Sequence, residues 1–134
     1  MIKKEELQKK IIQLQLLEAN LKIFEERFKF INERVEELQK TRNAIEELKI
    51  TKPNKAMIPL GSGNFVFGSV DDSENIIVGI GAGVAIKKKK EEAMNILDGK
   101  LKELENVLNE ITNQMQIITE QSEKIQSEIE KLQK

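Results

Sequence analysis

Apolar and polar residues follow three different rhythms along the chain. In the first third, apolar side chains fall at Leu7, Ile11, Leu14, Leu17, Leu21, Phe24, Phe28, Ile31, Val35, Leu38 and Ile45. Steps of three and four keep them on one narrow stripe, so the pattern predicts a single helix over 5–50 that pairs along a seam. Arg42 takes the seam position between Leu38 and Ile45. Two consecutive steps of three, Ile11 to Leu14 to Leu17, predict a stammer that overwinds the coil locally. No Gly or Pro occurs before Pro53, which biases Lys52 away from helix and ends the helix near Ile50. At ~1.5 Å per residue this arm is about 70 Å long. Ile2, Ile12, Leu16, Ile23 and Phe30 lie off the stripe. They fit a wider buried face or single exposed apolar residues, which are common. An adhesive surface near the free end is the sharper alternative.

The last third has the same rhythm without a slip. Its seam is Met94, Leu97, Leu101, Leu104, Leu108, Ile111, Met115, Ile118, Ser122, Ile125, Ile129 and Leu132, with Ser122 its one polar member. This predicts a second coiled-coil helix over 90–134, about 65 Å long at ~1.5 Å per residue. Gly99 lies off the seam and weakens the helix slightly. Glu91 and Glu92 stand where a helix N-terminus favours acids. The preceding run Lys87–Lys90 reads as a solvated strand-to-helix junction, or as a site for an acidic partner or anionic surface.

Between the arms the period changes to two. Ala56 to Leu60 reads as a strand whose Pro59 implies an edge or an end. Gly61-Ser62-Gly63 turns the chain, and Phe65 to Val70 forms a second strand. Asp71 to Asn75 is a polar turn. Ile76 to Ile80 is a third strand, Gly81-Ala82-Gly83 turns again, and Val84 to Ile86 is a fourth. Two hairpins in series therefore occupy 56–86. Such short strands are marginal alone and leave open edges. There are too few strands to close a barrel within one chain. Pairing with strands of other chains is the expected solution, through Ile58, Leu60, Phe65, Val66, Phe67, Val70, Ile76, Ile77, Val78, Ile80, Val84 and Ile86. Gly79, Gly81 and Gly83 invite a nucleotide-binding reading, but the dinucleotide fingerprint needs glycine where Val84 stands, and no helix starts within the glycines.

Two seams of nearly equal length joined by a compact middle predict an antiparallel hairpin, because short-range closure costs less entropy than pairing separate chains. The expected fold class is α+β: a long antiparallel α-helical coiled-coil hairpin with two central β-hairpins, forming one domain over 1–134. Composition agrees. Charged residues make up 34 % of the 134 residues and aromatics 4 %, which suits a narrow apolar seam with a large wet surface. Twenty-two basic and 23 acidic side chains, interspersed, give a net charge of −1. That balance argues against nucleic acid as partner. With neither Cys nor His, the chain lacks the usual zinc and copper ligands and the commonest nucleophiles and bases. No enzyme activity, metal or cofactor is expected. No stretch approaches the ~20 apolar residues that span a bilayer, nor does the N-terminus read as a signal peptide, so a cytoplasmic protein without a membrane partner is expected.

Ile58-Pro59-Leu60-Gly61-Ser62-Gly63 and Ile76-Ile77-Val78-Gly79-Ile80-Gly81-Ala82-Gly83-Val84, continued by Glu91-Glu92-Ala93, resemble the α-class subunits of prefoldin, a co-chaperone family. The resemblance covers the whole chain in architecture and is most specific over 56–98. Two hairpins distinguish the α-class from the single-hairpin β-class; the lysine run 87–90 departs from the common α pattern. The resemblance implies a hexamer of two α and four β subunits whose hairpins form a double β-barrel platform. It further implies ATP-independent capture of unfolded client proteins at distal coil tips and delivery to a group II chaperonin. The family also contains an α-like member that forms homo-oligomeric filaments, so self-association into a structural filament is the alternative. Frayed helix ends expose seam residues. Ile2, Leu7, Ile11 and Ile12 of the first arm, with Ile125, Ile129 and Leu132 of the second, are the expected client-binding residues.

Overall fold

The computed structural model describes residues 2–50 and 55–133, with the side chain of Ile2 outside the described residues. In chain order the elements are α1 (Ile2–Glu47), β1 (Ala56–Gly61), β2 (Asn64–Gly68), β3 (Asn75–Gly81), β4 (Val84–Lys89) and α2 (Lys90–Gln133). The chain forms two compact units, one of Met1–Glu36 with Lys102–Lys134 and one of Glu37–Leu101.

The first unit is an antiparallel pair of helical segments. Lys10 Nζ meets Glu128 Oε2 at 2.6 Å, which sets their register. Every expected seam position of α2 in this unit is buried or half-buried, and Leu101, the last residue before it, is buried too. The α1 seam differs from the expectation at one point. Lys10, not Ile11, is the half-buried residue between Leu7 and Leu14, and Ile11 is exposed. The steps therefore run three, four, three, four from Leu7 onward, and no stammer exists. A lysine can hold a seam position because its methylene stem lies along apolar surface while its ammonium reaches a carboxylate across the pair. Ser122 Oγ is buried without a hydrogen-bond partner, a defect of about 1–3 kcal/mol in an otherwise apolar seam.

The second unit holds both hairpins and the adjoining helix ends. Arg42 keeps its seam place by bonding Asp98 Oδ1 through Nε at 2.6 Å and Glu46 Oε2 through Nη1 at 2.8 Å. Helix α1 stops at Glu47, and Leu48 N donates to Ile45 O in a tightened last turn. Lys90 Nζ then donates to the carbonyls of Glu46 and Leu48 at 2.9 and 3.1 Å. This cation satisfies carbonyls that the helix end leaves open. The fourth strand runs to Lys89 rather than Ile86, so three of the four lysines belong to the sheet and the fourth opens α2.

Candidate functional site

The two hairpins are built alike and covered differently. Each is a separate antiparallel two-stranded sheet, β1 with β2 and β3 with β4, so each strand pairs on one edge only. Their turns repeat at a spacing of twenty residues: Ser62-Gly63 and Ala82-Gly83 all have positive φ, at 53°, 79°, 54° and 74°. Two central residues with positive φ match the right-handed twist of the strands. Ser62 and Ala82 accept that backbone at a cost that glycine would avoid. Each register shifts once, between Pro59 and Gly61 and between Gly79 and Gly81.

In the first hairpin, Met57 pairs with Phe67 and Pro59 with Phe65, which places the four on one face; Ile58 and Val66 pair on the other. Both faces are apolar and both are exposed, with Phe67 at 79 %. Leu60 is exposed as well. Gly68 accommodates the Ile58 side chain, which crosses the space a Cβ would fill. In the second hairpin, one face carries Val78 and its partner Ile86, with Ile76. Val78 is 6 % exposed and Ile76 and Ile86 are half-buried. Ala93 and Leu97, in the first turns of α2, are buried too, and Lys100 Nζ donates to Gly79 O at 3.1 Å. Lys90 N continues this tie by donating to Glu74 O at 2.9 Å. The other face, with Ile77, Lys87 and Lys89, is open, as are Ile80 and Val84. Of the twelve residues expected to join chains, only Val78 is buried, and Val70, Ile76 and Ile86 are half-buried.

The link between the hairpins is fixed by Asp72. Its Oδ1 accepts from the backbone N–H of Glu74 and Asn75 at 2.8 and 3.1 Å, and its Oδ2 accepts from Asn75 Nδ2 at 2.8 Å. The Asn75 side-chain bond, then the backbone N–H groups, hold the Asp72 carboxyl below its usual range. The sequence reads Asp71 to Asn75 as a polar turn, and the structure assigns its organisation to Asp72, an Asp followed at three residues by Asn, which is an Asx-turn signature. Lys90, Lys100 and the Arg42–Asp98 pair were missed; they depend on contacts between distant segments.

The expected client-binding residues lie at one end of the first unit, along the N-terminal turns of α1 and the C-terminal turns of α2, where Lys10 meets Glu128. Ile12 is 56 % exposed and Ile11 is exposed beside it, while Leu7, Ile125 and Leu132 are half-buried and Ile129 is 8 % exposed. Ile2, by its side chain, lies outside the described residues. The Glu128 carboxyl among them is held below its usual range, chiefly by its hydrogen bond from Lys10. Arg42, in the other unit, is raised above its ordinary value, chiefly by its bond to Asp98. Among the described residues, no cluster of acids could hold a metal ion, and no helix is long and apolar enough to cross a membrane.

Comparison with known proteins agrees with this architecture. Prefoldin subunit alpha of Pyrococcus horikoshii is 32 % identical over 102 residues, which cover 75 % of this chain and 69 % of that protein. Prefoldin subunit alpha of Thermococcus onnurineus is 30 % identical over 101 residues, 74 % of this chain and 69 % of that one. A cryo-EM structure of filamentous prefoldin from Methanocaldococcus jannaschii superposes with a TM-score of 0.54 at 18 % identity, covering 93 % of this chain and 98 % of that one. The prefoldin subunit family model matches residues 17–134, and with the helix, two hairpins and helix in this order, the chain belongs to the prefoldin family.

Proposed function

We propose that this prefoldin chaperone subunit is a holdase that joins sister subunits through its hairpins and grips unfolded proteins through the ends of its coil. The observation that carries the assembly half is the first hairpin, apolar on both faces and exposed on both. Exposed apolar surface of this kind marks an interaction site. Strand edges that pair on one side only favour completion by strands of other chains, closing an intermolecular barrel. The partners are β-class subunits or further copies of this chain. Open-ended pairing would build a filament instead. The filamentous state of the Methanocaldococcus jannaschii prefoldin motivates that second reading, and sedimentation of the assembled protein separates a discrete species from an open polymer.

The capture half is supported by Ile11 and Ile12, exposed beside half-buried seam residues. Client contacts of this sort are individually weak, about 1.5–3 kcal/mol for each side chain fully buried. Several coil ends in one assembly turn weak contacts into useful avidity. No chemical step is required, so a client leaves by competition, and a group II chaperonin is the proposed receiver. The test is light scattering of a heat-denatured client mixed with the assembled protein. The reading expects suppression by wild type and loss of suppression by Ile11→Asp/Ile12→Asp with unchanged assembly size. Equal suppression by both would move the client site elsewhere.

A further inference from the structure

Outside the seam, the two flanks of the helix pair in the first unit differ. On one flank Leu16, Ile23 and Phe30 recur every seven residues along α1 and stay exposed, Phe30 at 65 %. Val107 and Ile117 of α2 stand exposed on the same flank. Two grooves open there, of about 780 Å³ beside Phe30 and Val107 and about 470 Å³ beside Leu16 and Lys124. The opposite flank carries Glu18 and Glu25 of α1 with Glu105, Thr112 and Thr119 of α2. An exposed apolar row with a seven-residue period fits a helix lying alongside it.

The charges identify which helix. On the grooved flank α2 reads Glu103, Glu110, Ile117, Lys124, Lys131, one residue every seven. Reversed about Ile117, this row is its own complement: Glu110 falls on Lys124, and Glu103 on Lys131. None of the four charges makes an ion pair among the described residues. The α1 row reverses about Ile23, with Leu16 falling on Phe30. The two centres also share a level. From the Lys10–Glu128 pair, Ile23 lies thirteen residues along α1 and Ile117 eleven back along α2. At ~1.5 Å per residue their heights differ by about 3 Å. One two-fold axis can therefore pass through both centres, as a self-complementary interface requires.

We propose that this flank docks a second copy of the same chain, laid antiparallel about an axis through Ile23 and Ile117. The product is a four-helix bundle in which every neighbouring pair of helices is antiparallel. Phe30 of one copy enters the groove beside Leu16 of the other, and Leu16 enters the groove beside Phe30. Glu103 and Glu110 of each copy meet Lys131 and Lys124 of its mate. The apolar rows provide affinity and the charges fix direction, because a parallel mate, turned about the long axis, would lay the charged α2 row over the apolar α1 row and leave the charges without partners. This surface is separate from the hairpins and does not rest on the chaperone reading.

The chain has no cysteine, so disulfide trapping on the full-length protein reads the interface directly. Leu16→Cys and Phe30→Cys chains are mixed under mild oxidation, each alone serving as control. A disulfide needs Cα atoms within roughly 7 Å. The proposal expects the mixed 16–30 link to form at least about tenfold faster than 16–16 or 30–30 links, since only the mixed pair is brought within that reach. Glu103→Lys/Glu110→Lys and Lys124→Glu/Lys131→Glu should each slow it about tenfold by turning four attractions into repulsions. Reversing all four positions together keeps the net charge and should restore the rate. Helical dichroism of each variant confirms that the helices persist. Equal rates for like and mixed links, charge reversals without effect, or a fourfold reversal that fails to restore the rate would each overturn the proposal.

Discussion

The two hairpins share a turn and a register irregularity, yet one is tied to a helix and the other, among the described residues, leaves both faces exposed. In the second, Val78 is buried, as are Ala93 and Leu97 of α2, while Lys100 and the Lys90 backbone bond its strand and linker. In the first, Met57, Ile58, Leu60, Phe65, Val66 and Phe67 are all exposed. Burying an apolar side chain is worth about 1.5–3 kcal/mol, so six exposed ones on a two-stranded sheet of marginal stability represent a large unmet driving force. On the proposed reading, the same local fold serves as an internal brace in one place and a joint between chains in the other.

The comparison breaks most severely at Val78. Val78→Asp puts a charge into the only buried strand position among the described residues, and a loss of about 3 kcal/mol or more is expected, visible as a lower urea midpoint of the whole second unit. Phe67→Asp, on the open hairpin, should do the reverse. It should leave the unfolding of a dilute chain within about 0.5 kcal/mol of wild type, while assembly, followed by sedimentation velocity, weakens by more than about tenfold for each joint it touches. If Phe67→Asp unfolded the chain as Val78→Asp does, the two hairpins would have the same role.

Smaller changes sharpen the likeness instead. Ser62 and Ala82 hold equivalent positive-φ turn positions, where asparagine is favoured. Ser62→Asn and Ala82→Asn should each add about 0.5–1 kcal/mol, by thermal unfolding, and by similar amounts because the turns are equivalent. The smallest effect is a pH dependence at the linker. The Asp72 carboxyl is held low by Asn75 and by backbone N–H groups. Its stabilisation is complete above the ordinary carboxylate range and is lost as pH falls through its lowered folded-state value. Asp72→Asn should remove that acid-side slope from the stability profile and leave the profile above about pH 6 flat with respect to this group.

Much of this architecture is readable in the sequence because its signals are local. The heptad from Met94 to Leu132 and the Gly-x-Gly turns are set by neighbouring residues, and so were the family motifs Ile58–Gly63 and Ile76–Val84. What was not readable depends on distant partners. Ile11 looked like a seam residue because it is apolar, yet Lys10 holds the place through Glu128, more than a hundred residues away. The strand that ends at Lys89 looked finished at Ile86 because lysines suggest solvent; on a sheet open on one face, Lys87 and Lys89 can be both paired and wet. The burial of Val78 alone among similar strand residues follows from where α2 begins, which the strand pattern does not encode.

The central claim is that the first hairpin is the joint. Amide hydrogen exchange at Phe65–Gly68 in the assembled protein, set against Ile76–Val78 of the second hairpin, tests it most directly. The account predicts that the first hairpin, open in the single chain, exchanges in the assembly as slowly as the second or more slowly. Exchange there at the rate of an isolated two-stranded hairpin, in a protein shown to be assembled, would contradict it.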